Sequence, residues 1–140
     1  MRSLTIIYIF VLTLTAAGCS TGPDMKEGEW EITTELGMKG IPIKMPSMFY
    51  TQCLTKKDLI PRTGEQKEQN CTITDQKAEG DTVSWEAICK DSRTEILSEG
   101  SITYSGVLFS GQIDVTISGG PMSMTATNTI TGKFLGPCDK

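Results

Sequence analysis

The sequence predicts an all-β domain: an antiparallel meander of about seven strands, curled into a sandwich or open barrel and held by two disulfides. Three observations carry that prediction. Residues 71–89 read as a β-hairpin with a cysteine at each end. Residues 95–131 hold three alternating segments whose two turns give one consistent apolar face. Cys53, Cys71, Cys89 and Cys138 form an even set, suited to two bridges in an exported domain.

The chain has 140 residues, which favours one domain. Residues 1–18 read as a processing signal and not as part of the fold. Arg2 supplies the positive start. Leu4–Leu14 is an apolar run too short to span a bilayer as a stable helix. Ala16-Ala17-Gly18-Cys19 closes the segment and resembles a bacterial lipobox, with Ala16 where Leu is more usual. That resemblance implies that Cys19 is acylated and becomes the mature N-terminus. The competing reading is an ordinary secretory signal cleaved after Ala16 or Ala17. Two or three acyl chains on one residue hold a protein stably at a membrane, where one chain does not. Ser20, in place of an Asp, points to the outer membrane, facing the periplasm. No later apolar run is long enough to span a bilayer, so the chain is expected to be anchored and not inserted.

Residues 19–27 are expected to be a lipidated tether and residues 28–140 the domain. Trp30, Ile32, Thr34 and Leu36 alternate with Glu29, Glu31, Thr33 and Glu35, which predicts a half-buried strand with an acidic outer face. In residues 38–48, Pro42 and Pro46 remove backbone donors and favour an exposed, extended loop. A second strand is expected over Met48–Cys53. Thr55–Ile60 predicts one helical turn capped by Thr55 and ended by Pro61, followed by a polar loop over 62–70.

In the hairpin, Ile73, Val83, Trp85, Ala87 and both cysteines occupy odd positions, so they share one face. Glu79-Gly80-Asp81 supplies the turn. Four cysteines allow three connectivities; the hairpin selects Cys71–Cys89 and leaves Cys53–Cys138. A four-cysteine zinc site is the alternative, disfavoured by the lack of any C-x₂-C pair and of histidine. In the last three segments, turns at Ser105-Gly106 and Ser118–Pro121 place Ile102 opposite Phe109 and Val115 opposite Met124. They also put Met122 and Met124 in the core, and align Gly100, Gly111 and Asn128 in one row. Glycines there mark curvature or a seat for a large ring such as Trp30 or Trp85. The opposite face, from Ser101 and Thr103 to Thr127 and Thr129, is polar throughout.

With the strands placed, a resemblance emerges. The strings WEITT (30–34), GIPIKMP (40–46), TQCLTKKDL (51–59), CTITD (71–75), VSW (83–85), Cys89, ITYSG (102–106) and GPC (136–138) resemble a family of small exported bacterial proteins. That family is catalogued as a domain of unknown function, DUF thirty-six seventeen. The resemblance spans about Gly28 to Cys138 and implies a periplasmic or outer-membrane β domain. It brings no activity, substrate or catalytic residue. Members often carry more methionine in the 38–48 loop, where this chain has Ile43 at one such position.

Composition excludes several function classes. There is no histidine, which removes Ser-His-Asp and Cys-His nucleophile sites. A net charge of −4 with no basic cluster argues against nucleic acid and anionic headgroups. Glu29, Glu31 and Glu35 read as a solvated strand face. Asp75 falls at an odd position, on the apolar face beside Trp85; exposure at the hairpin's open end is the simpler reading. No phosphate-binding loop is present. The expectation is therefore a non-catalytic envelope lipoprotein, without cofactor, whose exposed Ile41, Ile43, Met45, Met48 and Phe49 bind an envelope protein or apolar ligand. The alternative is a periplasmic soft-metal protein binding Cu(I) or Ag(I) through the thioethers of Met38, Met45 and Met48.

Overall fold

The computed structural model describes residues 22–38, 45–62 and 70–139, the Met122 side chain excepted. Seven strands follow in chain order: β1 (Gly28–Met38), β2 (Met48–Leu54), β3 (Cys71–Glu79), β4 (Thr82–Lys90), β5 (Glu95–Ser105), β6 (Leu108–Gly119) and β7 (Met122–Gly136). They form one sheet in the order β2-β1-β7-β6-β5-β4-β3, every pair antiparallel. The last five strands are a meander, and β7 returns to pair with β1. The sheet is open, with β2 and β3 as its edges.

One face of this sheet, here called the inner face, collects the even positions of β1, β2, β5 and β7 and the odd positions of β4 and β6. At one end it is a packed core. Trp30 sits among Tyr104, Phe109 and Phe134 with ring centroids 5.8, 5.5 and 5.8 Å away. Trp30 meets Tyr104 and Phe134 edge-on and Phe109 at a tilt, and aromatic pairs of this kind add about 0.5–1.5 kcal/mol to the area they bury. Ile32, Ile102, Ile130 and Val83 complete the layer. Residues 54–62 lie over it. Leu54, Leu59 and Ile60 are buried, and the Tyr104 hydroxyl donates to the Leu59 carbonyl at 2.7 Å. Gln52 ties the end of that segment to β2: its carboxamide oxygen accepts from the Arg62 backbone N–H (2.8 Å), and its nitrogen donates to the Ile60 carbonyl (3.5 Å).

Both disulfides join the expected partners. Cys71 and Cys89 are directly opposed across the hairpin, with Cα atoms 4.0 Å apart. Cys53–Cys138 straps β2 to the C-terminal tail, closing 85 residues of chain. The hairpin loops are Gly80-Asp81, Gly106-Val107 and Gly120-Pro121, each with glycine first at a φ of 58°, 66° or 69°. Only glycine takes that conformation without steric cost, which is why it fixes the start of the loop.

This glycine rule corrects the expected register. Ser105 pairs with Leu108 and Gly119 with Met122, so Ile102 lies opposite Gly111, Phe109 opposite Gly132 and Ile117 opposite Met124. Each pairing is displaced by two residues, which keeps every side chain on its expected face. The row expected to contain Gly100, Gly111 and Asn128 instead holds Gly100, Ile113 and Asn128. Gly100 does seat a ring: a Cβ there would run into the Trp85 indole.

Three further expectations change. Thr55–Asp58 is a tight turn, not a helical one, because Thr55 and Asp58 exchange backbone hydrogen bonds at 3.2 and 3.0 Å. The Thr55 hydroxyl still caps it, accepting from the N–H groups of Lys57 and Asp58. Asp75 is exposed, as the simpler reading has it, but a bulge between Ile73 and Asp75 turns it onto the outer face opposite Glu86 and off the apolar face. Ordered contact with the domain begins before Gly28, because Met25 is buried and bridges to Gly106, and the Trp30 indole donates to the Lys26 carbonyl at 3.0 Å.

Candidate functional site

The other end of the inner face is where the described residues leave apolar surface uncovered. Three cross-strand rows define it. The middle row is Ala87–Ser98–Val115–Ala126–Met38, running from β4 to β1. On one side lies Trp85–Gly100–Ile113–Asn128–Leu36, the row next to the packed core. On the other lies Cys89–Ile96–Ile117–Met124. The middle row is built mostly from small side chains, so it forms the floor of a trough between taller neighbours.

The trough has two parts. Towards β1, β6 and β7 it is a cleft of about 390 Å³, lined by Leu36, Met38, Val115, Ile117, Met124 and Ala126 among others, and among the described residues no lining side chain is charged. Met124 is 56 % exposed and Ile117 38 %. This corrects the core placement expected for Met124: the alternation puts it on the inner face, but no described segment packs over that end of the sheet as residues 54–62 pack over the other. Towards β3 and β4 the trough leads into a smaller cavity of about 50 Å³. Its walls include Ile73, Trp85, Ala87, Ile113 and the Cys71–Cys89 bridge. Its polar members are Ser98, 4 % exposed, and Arg62. Arg62 pairs with Asp58 through Nη2 at 2.8 Å, while its Nε–H is buried with no hydrogen-bond partner among the described residues.

The residues expected to bind a partner divide. Ile41 and Ile43 lie outside the described residues. Met45 is exposed, and Met48 and Phe49 at the start of β2 are 62 % and 69 % exposed. Register places Met48 opposite Thr34 on the inner face and Phe49 opposite Thr33 on the outer. Of the methionines considered as metal ligands, Met38 joins Met124 in the cleft. Met48 pairs four residues back along β1 from Met38, about 13 Å away along the strand. Among the described residues no group of three or more His, Cys, Asp or Glu could hold a metal ion. Cys19 lies outside the described residues.

Titration behaviour follows burial. Tyr50 is pushed up to about 12 by desolvation. Tyr104 is raised further, by desolvation first and then by the neighbouring Asp58 charge. Both phenols are therefore neutral at ordinary pH, and the Tyr104 hydroxyl donates its hydrogen bond to the Leu59 carbonyl. Arg62, Ser98 and, apart from Met38, the floor row were not singled out as site residues by the sequence. The even spacing of Ser98 with Ile96 and Ile102 put it on the apolar face, and a polar residue there was the available signal. Arg62 sat in an irregular segment with no periodicity to place it.

The model of the family described as "Protein of unknown function (DUF3617)" matches residues 25–138. The chain belongs to this family. The match covers both disulfides and all seven strands, so the DUF3617 domain here is the whole sheet together with its trough. No curated protein and no solved structure matches the chain.

Proposed function

We propose that this DUF3617 protein is a non-catalytic binding module of a bacterial cell envelope, anchored through acyl chains on Cys19 at the periplasmic face of the outer membrane. It takes an apolar ligand or partner segment on the open end of its inner face and on the adjoining β2 entrance. The observation that carries this reading is the uncharged cleft bounded by Leu36, Ile117 and Met124, with Met48 and Phe49 exposed nearby. A soluble domain leaves contiguous apolar surface open mainly where something docks. Methionines at such a surface adapt to irregular partners.

The anchor geometry agrees with it. Asp24 and Met25 are held at the Gly106 turn, the packed end of the sheet. Cys19 is five residues before Asp24, a reach of at most ~18 Å. Leu36 lies about 20 Å further along β1 from Trp30. An anchored molecule thus offers the trough away from its own attachment point.

Native mass spectrometry of the full-length protein, released from its own membrane in mild detergent, tests this. Wild type should retain extra mass beyond the acyl chains, and Ile117→Asp should lose it while keeping the fold. Wild-type protein that is always bare, and that crosslinks to nothing through Met48 or Ile117 in intact cells, would end the proposal.

A further inference from the structure

Resting on the binding role above, we propose that the occupant of the trough is a long-chain fatty acid, with its carboxylate at Arg62 and Ser98 and its tail along the Ala87–Ser98–Val115–Ala126–Met38 row. The small cavity and the cleft are one continuous surface by register: Ser98 pairs with Val115, and Ile113 with Asn128, each pair joining a residue of the cavity to one of the cleft. From Ser98, at the head, three strand spacings along the floor reach Met38, or about 14 Å. One leaflet of bilayer hydrocarbon, the length of an acyl tail, is ~15 Å.

The head end is defined by an unmet donor. A buried N–H without a partner is costly. Asp58 engages Nη2 of Arg62 and leaves the buried Nε–H without a partner among the described residues, and Arg62 lines a cavity whose other described walls, Ser98 apart, are apolar. The Ser98 hydroxyl adds a second donor. Two donors, one of them on a guanidinium, match the two oxygens of a carboxylate. The cavity, about 50 Å³, has room for a few waters or one such head, not for a glycerophosphate. The tail end carries no charge among its described lining residues, as a hydrocarbon requires.

The test is a competition read by native mass spectrometry. Full-length protein in non-ionic detergent is incubated with equimolar palmitate, hexadecanol and single-chain lysophosphatidylglycerol, whose adducts differ in mass. Palmitate should dominate. Arg62→Gln and Ser98→Val, each checked for an unchanged melting transition, should weaken palmitate about tenfold, the worth of one charge-assisted hydrogen bond, and leave hexadecanol unchanged. Ile117→Asp should remove all adducts. Equal binding of hexadecanol and palmitate, or no loss in either head variant, overturns the carboxylate assignment and leaves the apolar site standing. Preference for the lysolipid overturns the fatty acid as occupant. No adduct of any probe overturns this inference, and the mass retained from the native membrane then decides separately whether the broader binding role survives.

Discussion

The packed end and the open end of the inner face are made from the same alternation of apolar and polar residues on the same strands. At the packed end, Trp30, Tyr104 and Phe109 meet a covering segment, and none of them is more than 3 % exposed. At the open end, Leu36, Ile117 and Met124 meet no described segment and stay partly in water. The strands therefore do not decide what is core. The connection between β2 and β3 does, because Leu54, Leu59 and Ile60 lie over one end only. Among the described residues, a sheet half covered in this way keeps its stability at one end and leaves apolar surface exposed at the other.

The comparison can be broken from the packed side first. Replacing Cys53 and Cys138 with Ser should cost about 4–5 kcal/mol from loop entropy, against about 3 for the shorter Cys71–Cys89 loop at the open end. Urea unfolding of the two double variants reads both. Trp30→Ala should cost ~3–5 kcal/mol by the same measurement. If it costs no more than Met124→Ala, the division between the ends is wrong.

Gly100→Ala sharpens the boundary between the two regions. A Cβ there meets the Trp85 ring, so a loss of ~1–3 kcal/mol is expected, together with a changed Trp85 fluorescence. Tyr104→Phe removes the bond to Leu59 and leaves a buried carbonyl unpaired, costing about 1–2 kcal/mol. That phenol and Tyr50 ionise less readily in the folded chain than in the unfolded one. Their contribution is thus complete below pH ~10, the unfolded value, and falls as pH rises through the folded values. Alkaline unfolding should set in above that point, and Tyr104→Phe should flatten it. The smallest effect belongs to the open end: Ile117→Ser and Met124→Ser should each change stability by under ~0.5 kcal/mol.

Much of the fold was legible because two-residue periodicity needs no tertiary information. The hairpin cysteines, the three-stranded meander and the shared inner face all follow from which positions are odd or even. Register was displaced because Ser105-Gly106 and Gly106-Val107 give the same faces, and only the positive φ of Gly106 separates them. Asp75 was misplaced by a bulge at Thr74, which parity cannot anticipate. The trough was hidden for a different reason. Met124 and Ile130 are both apolar, inner-face residues of β7, and their surroundings differ only through a segment distant in sequence. Arg62 acquires meaning only once residues 59–62 are seen to lie against Gln52 on one side and the Cys71–Cys89 strand pair on the other.

Methyl NMR with ¹³C-labelled methionine tests the division of the inner face most directly, because Met25 belongs to the packed end and Met38 and Met124 to the open one. Palmitate added to the full-length protein should shift the Met38 and Met124 methyl signals and leave Met25 in place. Movement of Met25 to the same extent, or silence at Met38 and Met124, would contradict the account.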